Sequence, residues 1–231
     1  MLKFQCPFKQ TFEYSFVVSK EKPSDLVSLA YEKAIDNLLY ANIDDKYKVV
    51  SIMPTMKHDH QANLVVNLAY QLKKKNQKVL VIDLDFRTPR LQVVLQSGMD
   101  RGIYHHLFKG LDAKKTILHD KTYGFDVILV GQEINSVTQV LESKKLSDFI
   151  ETMKSDYDVI LLISPSLAYN KDGLSIAKLS DGILYIVSKK YSNKQIVDSS
   201  YLQLKQLQVP ILGSLLIDYK EHEKILGIPL L

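Results

Sequence analysis

Runs of apolar residues alternate along this chain with segments in which apolar residues recur every three or four positions. The run "KVLVIDLD" at 78–85 is almost wholly apolar until it ends in acidic residues, and "DVILLIS" and "DGILYIVS" share that form. Such runs are typical of strands that are buried on both faces of a parallel sheet. The pattern predicts strands over 47–53, 78–85, 125–131, 158–164, 181–188 and 211–218.

The segments between these runs carry the helical pattern. In the first, Leu26, Ala30, Ala34 and Leu38 follow at helical spacing, and Ser24 is the predicted N-cap. Strands that alternate with helices give an α/β fold, and we expect one doubly wound, mostly parallel sheet. The pattern predicts helices over 24–41, 62–75, 144–157, 172–180 and 193–208.

Two parts of the chain are distinguished by composition. Residues 1–22 alternate aromatic and polar side chains, which indicates an amino-terminal arm or an edge strand. Residues 23–231 contain no low-complexity linker and no repeat, so we expect them to form a single α/β domain.

The predicted topology gives the position of any ligand site. Doubly wound sheets bind ligands beyond the carboxyl ends of their strands. Three segments of this chain follow predicted strands at that edge: the loop 54–61, "DLDFRTP" at 83–89 and "SPSLAYNKD" at 164–172. We therefore expect the site to be built from these three segments.

Composition narrows the class of protein only a little. The chain is 46% hydrophobic and 24% charged with a net charge of +4, values of an ordinary globular protein, and its lysines are scattered. The single cysteine, Cys6, excludes an internal disulfide. No basic-then-apolar leader and no apolar run of the roughly 18–20 residues that a membrane span needs are visible, so a cytoplasmic protein is predicted.

The order of the motifs resembles a known family. "VLVIDLDFRTPRL" at 79–91 is the most specific motif, and "NLA" at 67–69, "YD" at 157–158 and "LSDGILYIV" at 179–187 fall in register with it. From about residue 23 to residue 218 the chain resembles the bacterial tyrosine kinases of capsule and exopolysaccharide synthesis. These are cytoplasmic partners of polysaccharide co-polymerases and belong to the ParA/MinD-like P-loop ATPases. The resemblance implies a P-loop NTPase-like fold.

The family's phosphate-binding motif is replaced in this sequence. Counted back from "NLA", the phosphate-binding lysine corresponds to Gln61 and the magnesium-binding hydroxyl residue to Ala62. The aspartate that precedes Thr-Pro after the fourth strand corresponds to Ile163. Of the acidic and phosphate-handling groups, Asp83, Asp85 and Arg87 remain, as candidate catalytic or nucleotide-binding residues. The six positions of the Gly-Glu-Gly-Lys-Ser-Thr motif are occupied by His58, Asp59, His60, Gln61, Ala62 and Asn63.

These replacements have a physical cost for nucleotide binding. Positive φ at His58 and His60 would each cost on the order of 1–2 kcal/mol, and losing the lysine contact roughly 1.5–3 kcal/mol. The sum, about 4–6 kcal/mol, weakens binding by a factor of roughly 10³ to 10⁴. Asp83 and Asp85 are expected to lie without opposing cations and to repel a triphosphate.

Other features of the family are absent as well. The kinases usually end in a tyrosine-rich tail, whereas this chain ends in "DYKEHEKILGIPLL". Their first helix often carries Glu, Arg and Arg at three-residue spacing for contacts between neighbouring subunits. In that register this chain has Leu29, Glu32 and Ile35, which we take as candidate partner-contact residues.

Two chemical alternatives concern the same segments. "HDH" at 58–60 contains suitable zinc ligands but needs at least one more from elsewhere, so a solvated loop is favoured and no metal is expected. Alternatively, protonated histidines there would hold an anion at the helix start. Asp83 and Asp85 are interpreted either as a catalytic pair or, preferably, as acids that pair with Arg87 or Arg90 or cap a turn.

The sequence thus predicts a catalytically inactive, pseudokinase-like relative of these kinases. It would act as a regulatory partner of a membrane polysaccharide co-polymerase or of an active homologous kinase, at the membrane only through that partner, without nucleic acid or cofactor. One alternative is an active tyrosine kinase that uses ATP and magnesium and has a rewired or partner-completed site. A second is a ParA/MinD-type positioning protein.

Overall fold

A single sheet organises the chain. The computed structural model describes residues 18–22, 24–42, 47–57, 61–97, 101–132, 134, 136–168 and 171–217. Within these ranges the sheet has seven strands in the order β3-β4-β2-β5-β1-β6-β7. The strands are β1 Val49–Pro54, β2 Val79–Asp83, β3 Leu118–His119, β4 Asp126–Ile128, β5 Val159–Ile163, β6 Gly182–Ser188 and β7 Ile211–Ile217.

All strand pairs are parallel except the one between β3 and β4. The predicted doubly wound, mostly parallel α/β fold is therefore confirmed. Each of the six predicted strands is present, although β4 is shorter than its predicted range of 125–131. The antiparallel β3 was not predicted, because two residues are too few to show an alternation.

Nine α-helices lie within the described ranges. They are α1 Val18–Glu21, α2 Leu26–Ala41, α3 Gln61–Lys74, α4 Leu91–Val94, α5 Ile103–Lys109, α6 Val137–Leu141, α7 Lys144–Met153, α8 Asp172–Ala177 and α9 Lys194–Lys205, and a 3-10 helix spans Ala113–Thr116. The five predicted helices correspond to α2, α3, α7, α8 and α9. In the expected arm, residues 1–17 lie outside the described residues, while 18–21 are helical rather than extended.

The N-cap of α2 is Asp25 and not Ser24. The Asp25 carboxylate accepts a hydrogen bond from the Val27 amide at 2.8 Å, and its backbone is extended, as at an N-cap. The prediction at Ser24 was wrong by one residue, since both residue types cap helices well.

The core explains the uninterrupted apolar runs. In β2, Val79 and Val81 pack on the face covered by α2 and α3, whereas Leu80 and Ile82 pack on the face of α5 and α7. Each side of the strand meets a helical layer, so no position is left for a polar side chain. No helix in the described part of the chain is both long and apolar enough to cross a membrane.

The strand register brings the predicted site together. Ile163 at the end of β5 lies beside Ile52 of β1 on one side and Asp83 of β2 on the other. The carboxyl ends of β1, β5 and β2 are thus adjacent at the centre of the sheet, where such folds bind ligands.

Candidate functional site

A cavity of about 390 Å³ opens at the carboxyl ends of β1, β5 and β2. It brings together the predicted residues Gln61, Ala62, Asp83, Asp85, Arg87 and Ile163. Arg90, named above as a possible partner of the aspartates, also lines the cavity. The remaining lining residues were not singled out as site residues and are Lys57, Thr88, Leu91, Pro165 and Ser166. They follow the same strand ends, so their position in the chain was the available signal. His58, Asp59 and His60 lie outside the described residues.

Gln61 begins α3 at the position of the family's phosphate-binding lysine. Its side chain is buried, and Nε2 donates a hydrogen bond to the Ser164 carbonyl across the cavity. This bond ties the start of α3 to the end of β5. One of the two N–H groups of this amide is therefore used within the protein.

The next two positions offer no hydroxyl to a metal ion. Ala62 is buried, and the Oδ1 atom of Asn63 is buried without a hydrogen-bond partner among the described residues. An amide oxygen is an acceptor, and phosphate oxygens are acceptors too, so the two do not pair.

Asp83 is fully buried at the end of β2. Its Oδ1 accepts from the Asp85 amide at 3.0 Å, and its Oδ2 accepts from the Leu91 amide at 3.4 Å. Burial, together with the charge of Asp85, raises the pKa of Asp83 to about 8, against the effect of the backbone amides. Asp83 is therefore mainly protonated near neutral pH.

Asp85 closes the turn that follows β2. Its Oδ1 accepts from the Thr88 amide at 3.0 Å, and its Oδ2 accepts from the Thr88 hydroxyl at 2.7 Å. This geometry is that of the capping interpretation of the two aspartates. It leaves the Asp85 carboxylate engaged by its own turn.

Arg87 pairs with a residue that the sequence did not reveal. Its Nε donates to Asp172 Oδ2 at 2.6 Å, and Asp172 Oδ1 accepts from the Thr138 hydroxyl at 3.0 Å. Asp172 is buried at the start of α8 while the Arg87 side chain is half exposed. Of the alternatives given for the two aspartates, the structure shows the capped turn, and the hydrogen-bonded partner of Arg87 is Asp172.

The aspartates do not lie without cations. Lys57, Arg87 and Arg90 line the same cavity as Asp83 and Asp85. The expectation that Asp83 and Asp85 lie without opposing cations is therefore wrong. The loops after β1 and β2 converge and bring the basic side chains to the aspartates. The cavity therefore retains positive charge for weak attraction of an anion.

The residues present do not fit a magnesium-bound nucleotide. Ile163 is buried beside Asp83 and places an apolar side chain where the family has an aspartate. The hydroxyl ligand is replaced by Ala62, and the Gln61 amide is bound to Ser164. Magnesium requires oxygen ligands, and the side chains of Ala62 and Ile163 have none.

The candidate partner-contact residues differ in exposure. Leu29 is 46% exposed, whereas Ile35 is 1% exposed and packs in the core. Glu32 is half-buried and pairs with Lys75 at 3.4 Å, beside an Asp36–Lys75 pair at 2.8 Å. Contact with a partner therefore stays a prediction at Leu29 and Glu32, while Ile35 has no exposed surface to offer.

No cluster of metal-ligating side chains occurs among the residues that the structure describes.

The fold and the site define the class of protein. The sheet is mostly parallel, and its cavity lies at the strand switch point, beside the loop after β1 and the buried start of α3. This is the architecture of a P-loop NTPase-like protein of the ParA/MinD type.

The chain belongs to the AAA domain family, whose model matches residues 60–208, and within it to the bacterial capsular and exopolysaccharide tyrosine kinases. Tyrosine-protein kinase CpsD of Streptococcus pneumoniae is 26% identical over 184 residues, 78% of this chain and 81% of CpsD. Tyrosine-protein kinase YwqD of Bacillus subtilis is 21% identical over 200 residues, 87% of this chain and 84% of YwqD.

A solved structure shows the same fold. The kinase domain of the Escherichia coli tyrosine kinase Etk superposes with a TM-score of 0.85 at 19% identity, covering 96% of this chain and 88% of that domain. The predicted family and fold are therefore confirmed.

Proposed function

We propose that this protein is a catalytically inactive relative of the capsule and exopolysaccharide tyrosine kinases that acts by binding. It serves as a cytoplasmic or regulatory partner of a membrane polysaccharide co-polymerase or of an active homologous kinase. It reaches the inner face of the membrane through that partner.

One observation carries the proposal. The Gln61 amide occupies the position of the phosphate-binding lysine, lines the cavity and donates to the Ser164 carbonyl. Ala62 and Ile163 remove two further groups on which phosphoryl transfer depends, the hydroxyl and carboxylate that position magnesium. Restoring one group alone would leave the other two absent.

The proposed contact surfaces are the amino-terminal arm, residues 1–22, and the exposed side of α2. Leu29 lies on that side together with Leu26 and Val27, which are 73% and 51% exposed. Exposed apolar side chains clustered on one helix are typical of an interaction surface. The body of the domain, from residue 23 onward, would serve as the platform.

A kinase assay tests the inactive state. The purified chain is incubated with ATP and magnesium, alone and with the cytoplasmic segment of the co-polymerase, and phosphotyrosine is measured. We expect none in either case. Phosphotyrosine that depends on the segment and disappears in Asp83→Ala and Asp85→Ala would favour the alternative, an active kinase completed by its partner.

A binding assay tests the partner role. Leu29→Asp should weaken binding of the co-polymerase segment by about tenfold or more, because it places a charge in an apolar contact. Leu202→Asp is the matched control, since Leu202 is 58% exposed on α9 and lies outside the proposed surface. Equal affinities of wild type and Leu29→Asp would contradict the assignment of this surface.

A further inference from the structure

A second cavity, of about 580 Å³, lies away from the strand-end site. It is bounded by α5, α6 and the start of α7 and shares no lining residue with the first cavity. The elements around it supply both aromatic and amide or hydroxyl side chains. Its lining residues include Tyr104, Leu107, Phe108, Gln139, Val140 and Lys145.

An aromatic pair forms one wall. Tyr104 and Phe108 are one turn apart on α5, with ring centroids separated by 5.0 Å and planes inclined by 31°. Phe108 is 51% exposed, so folding leaves much of its ring in contact with water. An exposed ring beside a cavity is a ready surface for the apolar face of a ligand.

The described polar groups of the other wall are amides, hydroxyls and one lysine. Gln139 is exposed and presents an amide that both donates and accepts. Ser136 is the N-cap residue of α6, yet its hydroxyl makes no capping hydrogen bond. Among the described lining residues the cation is Lys145, whose Nζ donates to the Leu107 carbonyl and is thereby held against the wall.

We propose that this second cavity is a binding site for a neutral carbohydrate. A sugar ring has an apolar C–H face that fits the Tyr104–Phe108 pair, and hydroxyls that need paired donors and acceptors such as the Gln139 amide and the Ser136 hydroxyl. A purely apolar ligand would leave these polar groups without partners on burial, at a cost in affinity. The site goes beyond the proposed function and does not depend on it, because it lies outside the nucleotide-type cavity.

Amide NMR spectra of the full chain test the site. The probes are the methyl glycosides of glucose, galactose, N-acetylglucosamine and glucuronic acid, titrated to about 50 mM because a single sugar unit binds weakly. At least one neutral glycoside should shift the signals of α5 and α6 selectively. Glucuronide should bind no better than the matching neutral sugar, because the Leu107 carbonyl holds Lys145 Nζ against the wall.

Two variants and one control decide the outcome. Phe108→Ala and Gln139→Ala, both at exposed positions, should each raise the dissociation constant by about tenfold. Tyr201→Ala removes an aromatic ring that is 41% exposed on α9 and should leave the dissociation constant unchanged. The proposal is overturned if no neutral glycoside shifts these signals, if both variants bind as wild type does, or if indole binds the cavity more tightly than every glycoside.

Discussion

At the scale of single residues, several side chains of the site are already bonded to other residues of the protein. Gln61 is bound to Ser164, Asp85 to Thr88, and Arg87 to Asp172. These three groups of the cavity are thus committed to internal bonds. The cavity is held in shape by the side chains that line it, and a nucleotide would have to displace several of these bonds.

The titration of Asp83 gives a pH-dependent prediction. Its pKa rises from 3.8 to about 8 on folding, so the folded state binds more protons than the unfolded state between these values. Stability should therefore fall as pH rises through that window, by up to about 1.4 kcal/mol per pH unit from this group. Asp83→Asn should remove this component and be more stable than wild type above about pH 8.

Urea unfolding of both proteins at several values between about pH 5 and pH 9 measures the difference. Asp85→Asn is the matched control: it should reduce the slope without abolishing it, because burial is the larger cause of the Asp83 shift. If the free energy of unfolding changed with pH in the same way for wild type and Asp83→Asn, the assignment of this pH dependence to Asp83 would be contradicted.

The Gln61 bond has its own test. Gln61→Leu keeps a similar volume but leaves the Ser164 carbonyl without its donor, so we expect a loss of about 1–3 kcal/mol in the free energy of unfolding. Gln203→Leu, at an exposed position on α9, should change it by less than about 0.5 kcal/mol. If Gln61→Leu left the free energy of unfolding unchanged, the bond would not hold the start of α3 in place.

Residue positions in the site were predictable only where a motif fixed their register. "NLA" and "VLVIDLDFRTP" fixed the register of Gln61, Ala62 and Asp83, and the structure brings these three residues into one cavity. Asp172 and Lys57 were not predicted. Their roles depend on which distant segments meet, and a single sequence does not encode that in any local pattern.

At the scale of elements, the packing of the start of α5 on the segment that follows β4 relies on close backbone contact. The Ile103 amide donates to the Leu129 carbonyl at 2.8 Å, and the Tyr104 amide donates to the Val130 carbonyl at 3.0 Å. A Cβ atom at Gly102 would lie 2.3 Å from the Leu129 carbonyl oxygen and 2.6 Å from the Gly131 nitrogen. Gly102 therefore permits α5 to lie directly on the end of β4.

Gly102→Ala should consequently destabilise the protein by about 3 kcal/mol or more, because backbone atoms must move to admit the methyl group. Gly110→Ala is the matched control: its φ is +69° with open space around it, so only about 1 kcal/mol of backbone strain is expected. Thermal unfolding of the two variants compares them. If both variants lost a similar amount of stability, the backbone around Gly102 would be able to move and admit the methyl group at little cost.

Element prediction succeeded where burial is two-sided and failed where elements are short. The strands of the central sheet gave unbroken apolar runs because both faces are covered, as in β2 and β5. The helices α4, α5 and α6 have four to seven residues, too few for a helical periodicity to appear above noise. Their packing against the sheet, rather than their own sequence, determines them.

At the scale of the whole molecule, the chain keeps the fold of its family, while Gln61, Ala62 and Ile163 stand at the positions of the family's phosphate and magnesium groups. The fold agrees with that of the kinase domain of Etk. Ala62 and Ile163 are part of the buried hydrophobic core that supports this fold. The fold can therefore persist as a binding platform after the phosphate contacts are lost.

The most direct test of this account is an equilibrium titration of the full chain with a fluorescent ATP analogue and magnesium. We predict a dissociation constant near the millimolar range, about 10³ to 10⁴ times weaker than a micromolar site. The Gln61→Lys, Ala62→Ser and Ile163→Asp triple variant should bind more tightly than wild type. A wild-type dissociation constant below about 10 μM that is lost in Asp85→Ala would contradict the account.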